Sequence, residues 1–228
     1  IAIKYIDFIK KNTNIKVIYY GHDLHFLREY REYELTGDIQ KKRESDYWKS
    51  IEFSLMEKAA VSYYPSYVEE EAIHAIHPEY KIRAITAYVY EKFLENIDKD
   101  FEKREGLLFV GGFAHPPNAD AVLWFAKEIF PLIRQKLDVN FYVVGSKVTD
   151  EIKALEQPGS GIIVKGFVTE EELASLYATS RIVVVPLRYG AGVKGKVVEA
   201  VYNGSAIVTT SIGSEGIPEA ERVMKVAD

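Results

Sequence analysis

The sequence predicts an α/β fold built on a doubly wound parallel sheet with helices on both faces. Three observations predict it. From Gly106 onward, short apolar runs alternate strictly with helix-patterned segments. The runs are continuous blocks such as Leu107–Val110 and Ile182–Val185, the pattern of strands buried on both sides. Helix starts are signalled by Ser66 with Glu69 and by Thr169 with Glu172, both with capping-box spacing.

The elements follow in order. Ile3, Ile6, Phe8 and Ile9 form an amphipathic opening, and Val17–Tyr20 reads as a buried strand. It runs into Gly21-His22-Asp23-Leu24-His25. Residues 28–40 are polar and aromatic, with a turn expected at Gly37-Asp38. Trp48, Ile51, Leu55 and Ala59 put a helix at 41–60. A strand at 61–64, a helix at 67–76 and a strand at 82–88 follow. The charged stretch 91–105 is the expected linker between a partial first domain, 1–90, and a second domain, 106–228. In the second domain, strands are expected at 107–110, 141–144, 162–164, 182–185 and 206–209. Helices are expected at 118–130, 149–155, 169–177 and 195–202, with a strand-like run at 223–227. The chain opens at Ile1 inside a pattern and stops after a strand, so a fragment truncated at its C-terminus is expected.

Composition narrows the function classes. The 228 residues are 47% hydrophobic and 28% charged, with net charge −5, so an affinity for nucleic acid is not expected. The chain has no cysteine, which removes disulfides and cysteine–zinc sites and fits a cytoplasmic protein. No run of about 18 apolar residues indicates a membrane span; peripheral contact at an inner membrane face stays open.

Ligands of such sheets sit at the carboxyl ends of the strands. The loop Pro186–Lys194 stands out there. Gly190 and Gly192 allow close backbone approach, and a helix start near Gly195 presents free N–H groups beside Lys194 and Lys196. Two cations at that end oppose the helix dipole unless an anion binds, so the pattern points to a phosphate. Two surface lysines are the bland alternative. Glu199 is read either as an acceptor for sugar or ribose hydroxyls or as a salt-bridge partner of Lys196. Gly111-Gly112 lacks the G-x-G-x-x-G spacing, which disfavours NAD. Asn118 is expected to cap the next helix, and His115 and Asp120 need no ligand to explain them. His22, Asp23 and His25 cluster at a strand end without a further metal ligand; His22 suits acid–base work or sugar-hydroxyl contact. His74 and His77 are expected on the surface.

At this point the residues resemble a known family. Gly106–Ala121, the run Pro186–Ala200 with Gly190-Ala191-Gly192-Val193-Lys194-Gly195-Lys196, and Val208–Ile217 resemble the donor domain of glycosyltransferase family 4, in the right order. Val17–Arg28 looks like the end of the acceptor-side domain. The resemblance implies a GT-B fold: a Rossmann-like donor domain, and here a partial second Rossmann-like domain. It implies a retaining transfer from a nucleotide sugar to a glycan or lipid-linked acceptor, in cell-surface polysaccharide synthesis, with no metal and no other cofactor. Lys194, Lys196, Gly192, Val193 and Gly112 would hold the donor diphosphate. Lys165, Gly166, Phe167 and Glu199 would face nucleobase and ribose, Gly190 and Ala191 the sugar. His22 and Glu199 would be the catalytic pair. Two departures are visible: no acid stands near Ala191, and no arginine stands at Gly112-Phe113. A catalytically degenerate nucleotide-sugar-binding domain and a nucleotide-sugar epimerase are the competing readings.

Overall fold

The computed structural model describes residues 2–95 and 100–228. Residues 96–99 of the expected linker lie outside them. The chain forms two compact units. The first comprises Ile1–Val89 with two short returns, Tyr189–Val193 and Glu215–Ile217; the second holds the remainder.

In the first unit, α1 (Ala2–Asn12) buries Ile6 and leads to β1 (Ile18–Tyr20), which is not the buried strand expected: it lies at the sheet edge with Ile18 and Tyr20 exposed. Next comes α2 (His25–Thr36), where the sequence suggested only a turn-bearing polar stretch. That helix has no local cap, because Leu24 offers no acceptor. Its first N–H groups are satisfied from a distance: the buried Glu52 carboxylate accepts from His25 N at 2.9 Å and from Phe26 N at 3.2 Å. A cap supplied 27 residues downstream leaves no local sequence signal. The expected turn at Gly37 ends the helix. Asp38 then caps α3 (Ile39–Lys58), its side chain accepting from Gln40 N at 2.8 Å.

β2 (Val61–Tyr64), α4 (Tyr67–His74) and β3 (Ile82–Ala84) complete the unit, and Ser66 and Glu69 close the expected capping box. β3 is shorter than the run 82–88 suggested. The three strands pair in parallel in the order β1-β2-β3. Leu24, Phe26, Met56, Tyr64, Ile73 and Ile82 form the core.

The second unit opens with a 3₁₀ turn, Phe101–Lys103, and β4 (Leu107–Val110). The next helix starts at Pro116 rather than 118: α5 (Pro116–Trp124) passes through a π-turn, Phe125–Ile129, into α6 (Phe130–Arg134). β5 (Phe141–Val144), α7 (Asp150–Lys153), β6 (Ile162–Gly166) and α8 (Glu170–Thr179) follow. The Thr169 hydroxyl caps α8 by accepting from Glu172 N at 3.2 Å. Glu172 does not close the expected box; its carboxylate instead meets Lys165 at 3.1 Å.

Then come β7 (Ile182–Val185), α9 (Gly195–Tyr202), β8 (Ala206–Thr209), the short turns α10 (Ser211–Ser214) and α11 (Ala220–Val223), and β9 (Lys225–Val226). The six strands are all parallel, in the order β6-β5-β4-β7-β8-β9. Leu108, Phe109, Phe141, Val143, Val183 and Val185 are buried, as central parallel strands require.

Candidate functional site

Strand order reverses between β4 and β7. β5 and β6 were laid down on one side of β4, and β7 starts the other side. The loops leaving the carboxyl ends of β4 and β7 therefore diverge, and the gap between them is where such sheets bind ligands. Those loops begin at Gly111 and at Pro186.

The β4 loop is held tightly. Gly111 N donates to Val144 O at 2.9 Å. A Cβ on Gly111 would meet the Asn118 side chain at 3.0 Å and Lys196 Cε at 3.1 Å. Asn118 is not the cap the sequence suggested. Pro116 and Pro117 take the first two helical positions, where a missing N–H costs nothing, and His115 becomes the cap residue. The Asn118 side chain, buried at 4% exposure, is thereby released for other work. Its Nδ2 donates to Gly112 O at 2.7 Å and its Oδ1 accepts from Lys196 Nζ at 2.6 Å.

α9 begins at Gly195 behind Lys194, which is buried at 7% exposure and offers no side-chain cap. The Val197 and Val198 N–H groups of its first turn donate to Lys194 O at 2.8 and 3.3 Å. Lys196 lies one residue further on, its Nζ 5.7 Å from the Phe109 ring centroid. Among the described residues the neutral Asn118 amide is its hydrogen-bond partner. Burial pushes its ammonium pKa down to about 8, and the charge of Lys194 adds to the fall.

Glu199 does not pair with Lys196. It stands beside the buried Tyr177 hydroxyl; burial raises the carboxyl pKa and the hydroxyl partly offsets that. Asp120 grips Arg188 of the β7 loop through both carboxylate oxygens, Nε to Oδ2 measuring 2.9 Å, and the guanidinium lies 5.5 Å over the Trp124 ring. Of the β6 loop, Lys165 is engaged by Glu172, and Phe167 is 82% exposed.

In the first unit, the exposed His22 ring sits edge-on to Tyr20 at 5.2 Å. Asp23 accepts from Arg28 and approaches His25 Nδ1 at 3.3 Å. His25 lies against Trp48, ring centroids 4.7 Å apart, and its hydrogen bond to Glu52 raises its pKa although burial opposes this. Gly190–Val193 belong to this unit. Gly192, at φ 74°, approaches the His22 carbonyl so closely that a Cβ would stand 2.9 Å from it. Arg31 donates to Gly190 O at 2.6 Å and pairs with Glu215 at 2.8 Å. His74 and His77 serve local contacts with Tyr80 O and Glu79. Among the described residues no group of three or more His, Cys, Asp or Glu is arranged to hold a metal, and no helix is long and apolar enough to cross a membrane.

The structure thus joins Gly112, Lys196 and the start of α9 in one place, and Gly192 with His22 in another. Asn118, Tyr177 and Arg31 were not singled out for these contacts by the sequence. Pro-Pro-Asn was the available signal for the first; the others are tertiary neighbours with no motif.

Comparison with known proteins agrees with the geometry. The family model for glycosyl transferases group 1 matches residues 104–227. An uncharacterized 44.6 kDa protein in the cps region of Klebsiella pneumoniae is 32% identical over 116 residues, 48% of this chain and 30% of that protein. The chain therefore spans less than a third of this relative's length. Among solved structures, TarM aligns with TM-score 0.69 at 16% identity, over 95% of this chain and 42% of its own. WaaG, a glycosyltransferase involved in lipopolysaccharide biosynthesis, aligns with TM-score 0.61 at 15% identity, over 96% of this chain and 66% of its own. Anabaena Alr3699/HepE, in complex with UDP and glucose, aligns with TM-score 0.57 at 16% identity, over 87% and 53%. These likenesses show the fold: GT-B type, with Rossmann-like parallel sheets.

Proposed function

Because the chain belongs to the glycosyl transferases group 1 family, we propose that it carries the donor-binding part of a glycosyltransferase. The enzyme moves a sugar from a nucleoside-diphosphate donor to a glycan or lipid-linked acceptor, with retention, in cell-surface polysaccharide synthesis on the cytoplasmic side. One observation carries the reading: Lys194 and Lys196 stand at the N-terminus of α9, where the helix dipole is already positive. For Lys196 the described neighbour is a neutral amide. For Lys196, buried beside a second ammonium, the charge is costly until an anion arrives, and a diphosphate is an anion a helix N-terminus suits.

The chemistry follows from charge. As the bond from the anomeric carbon to the diphosphate oxygen breaks, positive character grows on the sugar and negative charge on the departing diphosphate. Two ammonium groups and the dipole of α9, already in place, stabilise that charge without reorganising. Lysines in this role make a metal unnecessary. Gly112 adds a backbone contact to the diphosphate. Glu199 accepts from the donor ribose, and Lys165, Gly166 and Phe167 face the base. Gly190, Ala191 and Gly192, with no acid among them, offer a sugar only backbone groups, and His22 belongs to the same unit as they do. The UDP and glucose bound to HepE, the lipopolysaccharide role of WaaG and the cps-region relative support this setting.

Calorimetric titration of UDP, GDP and dTDP into the chain tests the reading. One of the three is expected to bind saturably, and Lys194→Ala/Lys196→Ala to weaken it about a hundredfold or more. No binding to the folded chain, or binding indifferent to the double substitution, overturns it.

A further inference from the structure

We propose that Asn118 is the positioning residue of the anion site, its amide bridging the Gly112 carbonyl and the Lys196 ammonium so that the β4 loop and the start of α9 are set as one surface. The identity of the anion as a nucleoside diphosphate rests on the reading above; the bridge does not.

An amide is the side chain that fits. Gly112 O requires a donor and Lys196 Nζ requires an acceptor, and they lie 2.7 Å and 2.6 Å from the two ends of one group. The partners themselves settle which end is nitrogen, since the reverse would set oxygen against a carbonyl and NH₂ against an ammonium. A hydroxyl is too short to span both. A carboxylate would repel the carbonyl and cancel the lysine charge. The neutral amide holds the ammonium in place while leaving its charge for a ligand.

The groups around Lys196 agree. From its own helix start comes Lys194, which repels it. From β4 comes the Phe109 ring, and from the β4 loop the Gly111 backbone, close to Cε. From α5 comes Asn118. A group with these neighbours titrates early, and Asn118 is the one whose replacement changes when.

The test reads the Lys196 side-chain resonance against pH in the 228-residue chain, assigned by its loss in Lys196→Arg. Nucleotide calorimetry over the same range runs beside it. Asn118→Asp, nearly isosteric, is expected to raise the Lys196 midpoint by about one unit or more and to weaken diphosphate binding about tenfold at neutral pH. Asn118→Ala is expected to lower the midpoint and weaken binding by a similar factor. In the unsubstituted chain, the Asn118 side-chain amide resonance is expected to move with a midpoint near that of Lys196, which needs no variant to fold. An amide resonance blind to that titration, or a Lys196 midpoint unmoved in both folded variants, overturns the proposal. So does nucleotide affinity unchanged by both. A shifted midpoint with no nucleotide bound supports the bridge and sinks the donor reading instead.

Discussion

Two lysines, one in each unit, solve opposite problems. Lys41 on α3 is surrounded by carboxylates: Glu29 at 3.1 Å, Glu32 at 3.2 Å and Glu44 at 3.3 Å. Burial lowers its pKa, but the hydrogen bonds to Glu29 and Glu32 more than reverse this, so the group is held charged far into alkali. Lys196 has a neutral amide and a repelling neighbour, and its pKa falls to about 8. A charge neutralised within the protein serves the fold. Under the proposed function, the Lys196 charge, held by a neutral amide, is left for an anion that arrives from outside.

The comparison is broken most directly by removing each charge while keeping the stem. Lys196→Met is expected to abolish nucleotide binding, a loss of about a hundredfold or more, whereas Lys41→Met leaves it within about twofold. Calorimetry on both variants decides; equal losses would erase the distinction.

The pH dependence of stability comes next, with opposite signs. For Lys196 the folded value, about 8, lies below the ordinary 10.5, so between those values the unfolded chain holds more protons and stability rises with pH. The gain is at most about 3 kcal/mol. For Lys41 the folded value lies above 10.5; its contribution is full below that pH and is lost as pH climbs through the folded value. Urea midpoints from pH 7.5 to 10.5 are expected to lose the rise in Lys196→Met and to keep it in Lys41→Met.

At neutral pH the same variants should diverge in stability by smaller amounts. Lys196→Met gains about 1 kcal/mol because a buried charge is gone. Lys41→Met loses about 1 kcal/mol because three carboxylates are left facing one another. Smallest is Tyr177→Phe. Without the hydroxyl, the Glu199 carboxyl, already raised by burial, rises further, so the acid limb of nucleotide binding moves to higher pH while binding at pH 8 changes less than about threefold. An unmoved acid limb would detach Tyr177 from Glu199.

Much of the fold was legible because it is written in local pattern. Leu107–Val110, Phe141–Val144, Ile182–Val185 and Ala206–Thr209 are strands with the expected bounds. Ser66 and Glu69 form their box, since both partners lie within one turn. The lysine-bearing helix start after β7 was equally plain, because glycines, lysines and an apolar face occur within fifteen residues. α2 was missed because Glu52, its cap, comes from another helix. The second capping box failed because Glu172 has a better partner in Lys165 than in its own helix start.

By itself, then, the sequence determined the parallel α/β architecture, the order of its strands and the loops that carry the charge, all matters of short-range periodicity and turn chemistry. Tertiary structure alone decided who partners whom. It turned Asn118 from a helix cap into a bridge to a lysine 78 residues away, set Glu199 beside Tyr177 instead of Lys196, and tied Asp120 to Arg188. The physical reason is that a polar side chain's partner is chosen by proximity in the folded chain, and the gap at β4 and β7 exists only once the strands have been ordered around it.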